Sequence, residues 1–182
     1  MKKTLIIVGS ARKGNSLYVG EYTRQFLLKK GEDVELIQLS DYTINYCDGC
    51  LECDSTGVCH KKDDVALLLG KVKEAANVIF ITPTRWSLLA GDMKVFMDRW
   101  NPLAGRNIFD NKRSFLVAIG QTKLKDSSSI QSALTSLKFF SDDAGFQFTG
   151  SHIFEDCLNG TDVKEKSSDL MSYAEKLERF IL

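Results

Sequence analysis

The stretch TLIIVGSARKGNS, residues 4–16, decides the fold, because a short apolar strand runs through a glycine-containing turn into a helix. Gly9 and Gly14 have the G-x-x-x-x-G spacing of a nucleoside triphosphate loop, and Ser16 stands where that loop binds Mg²⁺. Asn15, however, replaces the lysine that such a loop requires. Serine hydroxyls, an arginine and backbone N–H groups remain, which favours a single phosphate bound without metal. Alternatively, the polar residues of the turn only cap the helix.

Apolar segments alternate with helical patterns along the chain. The predicted strands cover residues 4–9, 33–41, 77–83, 113–121 and 146–154, and the predicted helices cover residues 16–30, 63–76, 88–100, 127–144 and 162–181. Strands separated by helices form a parallel sheet covered on both faces through right-handed crossovers. The sequence therefore predicts one α/β domain over residues 1–182, a flavodoxin-like three-layer α/β/α sandwich. We expect a five-stranded parallel sheet in the order 2-1-3-4-5, with a cysteine-rich insert at about residues 42–62.

The charge balance excludes several classes of partner. Lysine plus arginine and aspartate plus glutamate number 24 each, so the formal net charge is zero. This balance argues against binding to nucleic acid or to an anionic membrane surface. No apolar run approaches the roughly 20 residues that a membrane-spanning helix needs, and the N-terminal apolar stretch is too short for a secretory signal. We therefore expect a cytoplasmic protein without nucleic-acid or membrane partners.

The predicted topology brings three loops together at the carboxyl edge of the sheet, where ligands bind in this class of fold. These loops are residues 9–16, 82–91 and 120–126. The first suits a phosphate, and the second carries Trp86, which could pack against a planar ring. Taken alone, Trp86 also fits a partly buried core or interface position. A phosphate site beside a flat apolar surface matches the shape of flavin mononucleotide (FMN).

Four of the five cysteines fall within the thirteen residues 47–59, a spacing too tight for a disulfide framework across the domain. The C-x2-C-x2-C pattern can present three thiolates to an iron–sulfur cluster, and the fourth cysteine completes the ligand set of a [4Fe–4S] cluster. Structural zinc, redox-active thiols and free thiols that only order the loop are alternative interpretations. We expect Cys157 to be an ordinary, partly buried residue. The candidate metal ligands are Cys47, Cys50, Cys53 and Cys59.

Three motifs together resemble the NAD(P)H-dependent FMN reductase and iron–sulfur flavoprotein group. They are GSARKGNS at 9–16, the C-x2-C-x2-C-x5-C segment with its two following aspartates, and ITPTRWSLLAGDMKVFMDRW at 81–100. The resemblance covers roughly residues 1–120. It implies noncovalent FMN, with the first motif at the phosphate and the third beside the flavin ring. The implied cofactor-binding residues are Ser10, Arg12, Asn15, Ser16, Leu17, Pro83, Thr84, Arg85, Trp86, Ser87 and Gln121.

The resemblance implies an FMN-dependent NAD(P)H oxidoreductase that passes electrons from a nicotinamide to a small acceptor, such as a quinone, a nitro compound, a flavin or a metal centre. Because the flavin carries the chemistry, we expect no catalytic side chains. No G-x-G-x-x-G motif occurs, so NAD(P)H would share the flavin pocket. The group also implies a homodimer or a homotetramer.

Two alternatives to this function stay open. One is an iron–sulfur flavoprotein or flavodoxin-like electron carrier without NAD(P)H activity. The other is a flavin-free regulatory domain whose cysteine segment binds zinc. Arg85 marks a departure from the group, whose members often have an uncharged residue near this position. It could stabilise an anionic reduced flavin, or it could face solvent or a partner subunit.

Overall fold

The computed structural model describes residues 2–181. Its strands are β1 (Lys3–Val8), β2 (Asp33–Gln38), β3 (Asn77–Arg85), β4 (Leu88–Leu89), β5 (Arg113–Ile119) and β6 (Gln147–Phe154). Five of them run parallel in the order β2-β1-β3-β5-β6, and β4 pairs antiparallel with β3. The predicted five-stranded parallel order is confirmed, and the short β4 is an addition that the sequence did not indicate.

The helices are α1 (Asn15–Lys29), α2 (Glu52–Thr56), α3 (Val65–Glu74), α4 (Gly91–Asp98), α5 (Ser129–Asp143) and α6 (Ser167–Ile181). α1 and α6 cover one face of the sheet, and α3, α4 and α5 cover the other. α6 begins later than predicted because residues 162–165 form a separate 3₁₀ turn. Within residues 2–181, no helix combines the length and the apolar character needed to cross a membrane.

The sheet separates two apolar cores, because successive residues of a strand face opposite sides. In β1, Ile6 packs toward α1 and α6, whereas Ile7 packs toward α3, α4 and α5. In β3, Ile79 and Phe80 divide between the two faces in the same way. All four side chains are at most 1% exposed. Burial on both faces explains why these strands are continuously apolar.

The segment after β3 differs from the helix predicted over residues 88–100. β3 continues to Arg85 and turns back into β4 through Trp86 and Ser87. These two residues have φ values of 48° and 63°, the left-handed values that a two-residue type I′ hairpin requires. Trp-Ser lacks the Asn-Gly or Asp-Gly signal of such a turn. A prediction from the apolar pattern alone therefore places the start of the helix too early in the chain. The helix α4 begins only at Gly91.

The turn after β1 lies in close contact with α4. The Gly9 N–H donates to the carbonyl of Ile81 in β3 at 2.9 Å. A Cβ at Gly9 would lie 2.6 Å from the Cβ of Met93, which is closer than packed side chains allow. Glycine is therefore required here by the close approach of α4. This contact fixes where the glycine turn leaves the sheet.

His152 on β6 is a buried residue, at 6% exposure, and neither ring nitrogen has a hydrogen-bond partner among residues 2–181. The ring packs against Phe154 and Tyr173, with centroid distances of 4.5 and 5.2 Å. Burial, with a smaller contribution from Lys176, lowers the pKa of His152 to about 4. The folded protein therefore holds this imidazole in its neutral form at neutral pH.

We predict that His152 makes the fold sensitive to mild acid. The histidine of the unfolded chain titrates near 6.5, so between pH 6.5 and about 4 the unfolded chain binds a proton that the folded chain does not. The free energy of unfolding therefore falls as the pH falls through this range, by up to about 3 kcal/mol. His152→Leu should remove this part of the pH dependence in urea unfolding experiments. A pH dependence equal to that of the parent chain would contradict the prediction.

Candidate cofactor site and thiol loop

A cavity of about 330 Å³ opens at the carboxyl edge of the sheet. It lies between the β1–α1 turn, the end of β3 with its hairpin, and the end of β5, where the topology predicts a ligand. Nine of the eleven candidate cofactor residues line it: Ser10, Arg12, Asn15, Ser16, Pro83, Thr84, Arg85, Trp86 and Gln121.

Two candidate residues do not line this cavity. Leu17 lines an adjoining groove with Tyr18 and Gly160, and Ser87 lies at the tip of the hairpin. Conversely, the lining includes four residues that the sequence analysis did not assign to the site. Two of them adjoin assigned residues, and the third lies two positions before Gln121. The fourth follows β6, whose carboxyl end neighbours that of β5, so only the strand order could have placed it. These four are Gly14, Ile119, Gly120 and Cys157.

The cavity lining is rich in hydrogen-bond donors and contains no carboxylate. Its two charged residues are Arg12 and Arg85, and the buried Ser10 and Ser16 add hydroxyl groups. At the start of α1, the Tyr18 N–H donates to the carbonyl of Gly14 at 3.0 Å. Helix geometry leaves the three N–H groups before Tyr18 without an intrahelical acceptor. An electropositive helix start without a carboxylate suits a phosphate held without a divalent cation.

Two buried side chains hold the β1–α1 turn in shape. Gln38, at the end of β2, donates from Nε2 to the carbonyl of Ser10 at 2.8 Å. Asn15 donates from Nδ2 to the carbonyl of Asn159 at 2.6 Å, and its Oδ1 accepts the N–H of Val163 at 3.2 Å. The Asn15 side chain thus ties the start of α1 to the segment before α6. The predicted contact between Asn15 and a phosphate therefore depends on its backbone N–H.

Trp86 stands at the rim of the cavity and is 99% exposed, so it is not part of the apolar core. Leu88, across the same hairpin turn, is also exposed. Large apolar side chains exposed beside a cavity typically mark a surface that a ligand or a second protein chain covers. The turn of the hairpin therefore belongs to the candidate site, whereas Leu89 in β4 is buried in one of the two cores.

Cys157 is a buried and neutral member of the cavity lining. Its Sγ donates to the carbonyl of Glu155 at 3.3 Å. Burial raises the pKa of the Cys157 thiol to about 12. Because the thiolate is the reactive form of cysteine, this side chain is chemically inert at neutral pH.

The cysteine-rich segment forms an irregular loop, residues 46–62, here named the thiol loop. It contains one short helix, α2, which is entered through Leu51 and left through Gly57, both with left-handed φ values. Its cysteines are free thiols at different depths: Cys53 is buried, Cys47 and Cys59 are half-buried, and Cys50 is exposed.

Hydrogen-bonding groups lie beside two sulfurs of the thiol loop. The Sγ of Cys50 lies 3.3 Å from Nδ1 of His60, and the Sγ of Cys59 accepts a hydrogen bond of 3.3 Å from Nη2 of Arg99. Among the residues that the structure describes, one group of three possible metal ligands lies within 4.8 Å, namely Asp48, Cys50 and His60. This group offers one sulfur, one imidazole nitrogen and one carboxylate oxygen, a mixed donor set that could hold a divalent transition metal. Within residues 2–181, no three of the predicted ligands Cys47, Cys50, Cys53 and Cys59 come this close together.

The family model for the NADPH-dependent FMN reductases matches residues 2–141 of this chain. The match includes the turns that form the cavity and the whole thiol loop. It extends through β5 and most of α5, whereas β6 and α6 lie outside it.

Two curated relatives are similar to part of the chain. An iron–sulfur flavoprotein of Archaeoglobus fulgidus is 38% identical over 97 residues, which is 53% of this chain and 48% of that protein. The iron–sulfur flavoprotein MJ1083 of Methanocaldococcus jannaschii is 33% identical over 122 residues, which is 66% of this chain and 63% of that protein. The chain thus matches about half to two thirds of the length of these relatives.

Two solved structures share the fold at low sequence identity. The NAD(P)H:quinone oxidoreductase from Methanothermobacter marburgensis has a TM-score of 0.75 and 17% identity, covering 95% of this chain and 92% of that one. An FMN-dependent NADH-azoreductase from Bacillus anthracis, in complex with FMN, has a TM-score of 0.74 and 15% identity, covering 98% of this chain and 99% of that one. These likenesses concern the fold, whereas the family model matches most of the sequence. The chain therefore belongs to the NADPH-dependent FMN reductase family.

Proposed function

We propose that this chain is an FMN-dependent NAD(P)H oxidoreductase, built as one FMN-binding domain over residues 1–182. It would take electrons from a nicotinamide and pass them to a small acceptor such as a quinone, a nitro compound, a flavin or a metal centre. The main support is the cavity at the carboxyl edge, whose lining has two arginines and no carboxylate. An anionic cofactor fits this lining, whereas a magnesium triphosphate would lack the carboxylate ligand that Mg²⁺ usually requires.

The β1–α1 turn would hold the phosphate of FMN. The hydroxyls of Ser10 and Ser16, the guanidinium of Arg12 and the first N–H groups of α1 are all donors, which matches the acceptor oxygens of a phosphate. Gln38 and Asn15 fix this turn through hydrogen bonds to neighbouring backbone groups. Because Ser10 and Ser16 are buried and the backbone of the turn is held by these contacts, only the exposed Arg12 side chain must be ordered when the phosphate binds.

The ends of β3 and β5 would flank the flavin ring. Residues 83–86 and 119–121 line this part of the cavity. Bound FMN would supply hydride and single-electron transfer. Arg85 adds positive charge at this end, which favours the negative charge that a flavin gains on reduction.

The surroundings of the cavity also support a shared co-substrate site and an oligomer. NAD(P)H and the acceptor would occupy the open cavity in turn, since the sequence contains no G-x-G-x-x-G motif for a separate dinucleotide site. The exposed Trp86 and Leu88 support a homodimer or homotetramer in which a second subunit covers the hairpin. Five free thiols fit a reducing cytoplasm.

Removal of the phosphate donors should release the cofactor. The parent protein should purify yellow, keep its flavin through dialysis and lose its yellow colour when NADPH or NADH reduces it. The double variant Ser10→Ala, Arg12→Met should bind FMN about 100-fold more weakly, since two donors to a charged group are lost. Flavin absorbance after dialysis and fluorescence titration with FMN measure the effect.

Lys13→Met is the matched control, because it removes one positive charge beside Arg12 from a residue that does not line the cavity. This control should retain FMN like the parent. Equal retention by the double variant would overturn the phosphate site. A yellow protein that neither nicotinamide reduces would support the flavodoxin-like carrier, and a protein unable to bind FMN would support the regulatory domain.

The thiol loop supports a second candidate, an iron–sulfur flavoprotein. Four cysteines lie within residues 47–59, and two curated relatives at 38% and 33% identity carry that name. A cluster here would add single-electron steps to the chemistry of the flavin. Zinc and redox-active thiols are the competing uses of the same sulfurs. The proposed ligands of a [4Fe–4S] cluster are Cys47, Cys50, Cys53 and Cys59.

Metal analysis of anaerobically purified protein distinguishes these uses. A cluster predicts about four iron and four sulfide per chain and a broad absorption beneath the flavin bands. Cys53→Ser should abolish most of the iron, whereas Cys157→Ser, outside the thiol loop, should not. Stoichiometric zinc, or thiols without metal, would contradict the iron–sulfur candidate.

A further inference from the structure

Arg99, directly after α4, is a charged residue with only 2% exposure. It forms an ion pair with Asp63, at 2.6 Å between Nη1 and Oδ2, and the two side chains are 1% and 0% exposed. Burying two charges is costly, because both lose their hydration, and the loss is offset only where the geometry satisfies nearly all their polar atoms. The partners of this pair lie at the base of the thiol loop.

Arg99 and Asp63 join the two ends of the thiol loop. Asn45 precedes the loop and Asp63 follows it, 18 positions later in the chain. Arg99 donates from Nη1 to the carbonyl of Asn45 at 2.7 Å, and from Nη2 to Oδ1 of Asp63 at 3.2 Å. Asp63 also accepts the backbone N–H of Asn45 at 3.0 Å and that of Val65 at 3.2 Å. The buried ion pair thereby closes the loop.

Neighbouring groups keep the Asp63 carboxyl ionised and hold the base of the loop in place. Burial alone would raise the pKa of the Asp63 carboxyl, but the hydrogen bonds from Arg99, Asn45 and Val65 outweigh burial and hold that pKa below its usual range. Just outside the ion pair, the Thr43 N–H donates to Oδ2 of Asp64 at 2.7 Å, and the Asp64 N–H donates to the Thr43 carbonyl at 3.0 Å. The base of the loop is thus held by an inner buried contact and an outer, more exposed one.

The same guanidinium reaches a thiol inside the loop. Nη2 of Arg99 donates to the Sγ of Cys59 at 3.3 Å. The helix before Arg99 is anchored in the apolar core through Met93 and Phe96, which are at most 1% exposed. The position of Cys59 is therefore tied to a rigid element outside the thiol loop.

We propose that Arg99 is a positioning residue that closes the thiol loop and holds the sulfur of Cys59, so that the loop is ordered in the metal-free chain. The proposal rests on the proposed function only in treating the thiols as the functional groups of the loop. Arginine suits this role because its planar, forked guanidinium contacts a carbonyl, both carboxylate oxygens and a sulfur at the same time. The single ammonium of a lysine cannot span these four acceptors.

Thiol reactivity in the reduced, metal-free full chain tests the proposal. Each cysteine is alkylated with iodoacetamide, and the rates are followed by peptide mass spectrometry. In Arg99→Met, Cys59 should react about tenfold faster or more than in the parent, because the remaining buried charge destabilises the closed loop. Cys47 and Cys50 should also gain reactivity, and the buried Cys157 should not. Arg99→Lys should restore the parent rates only in part.

Two further variants complete the experiment, one as a control and one as a substitute for Arg99→Met. Lys94→Met removes an exposed ion pair with Asp98 on the same helix and should leave all rates unchanged. Should Arg99→Met fail to fold, Asp63→Asn preserves the side-chain shape without its charge and should open the loop in the same way. Unchanged Cys59 rates in the folded variants would overturn the proposal. An equal gain at Cys157 would indicate general loss of packing and would also overturn it.

Cobalt(II) titration separates this proposal from metal binding itself. If the parent protein binds Co²⁺ with sulfur-to-metal charge-transfer absorption, Arg99→Met should require about tenfold more Co²⁺, because the ligands must first be ordered. Equal Co²⁺ affinity would overturn the positioning role. If the parent binds no Co²⁺, the metal-binding hypothesis fails, and the alkylation rates alone decide the role of Arg99.

Discussion

The structure depends on one topological constraint: β1 and β3 are neighbours in the sheet, but the chain leaves them toward opposite faces. After β1, the chain enters α1, which packs in one core through Val19 and Leu27. After β3, it enters the hairpin and α4, which packs in the other core through Met93 and Phe96. The diverging connections leave a cleft at the carboxyl edge, and the candidate cofactor cavity occupies it.

The short helix α4 links this cavity to the thiol loop. Near its start, Met93 packs so closely against Gly9 that the β1–α1 turn admits no side chain there. Directly after its end, Arg99 closes the thiol loop and contacts Cys59. One rigid element therefore contacts both the turn of the proposed phosphate site and Cys59 of the thiol loop. A change in the packing of α4 would alter the geometry of both the β1–α1 turn and the thiol loop.

The sequence predicts the strands and the cleft well because both follow from short-range patterns. Continuous apolar runs mark strands that are buried on both faces, and their alternation with helices determines a parallel sheet. The hairpin at Trp86 and Ser87 escapes prediction because neither residue is typical of a turn with positive φ. The Asn15 amide and the Arg99–Asp63 pair escape it because their partners are distant in the chain, 144 and 36 positions away. No local pattern encodes such contacts.

The central claim is that the β1–α1 turn binds the phosphate of FMN without a divalent ion. The most direct measurement compares the affinities of FMN and riboflavin for the flavin-free protein in the presence of EDTA. Charge-assisted hydrogen bonds to the phosphate predict that FMN binds about 100-fold more tightly than riboflavin, which lacks the phosphate. Equal affinities, or FMN binding that requires Mg²⁺, would contradict the claim.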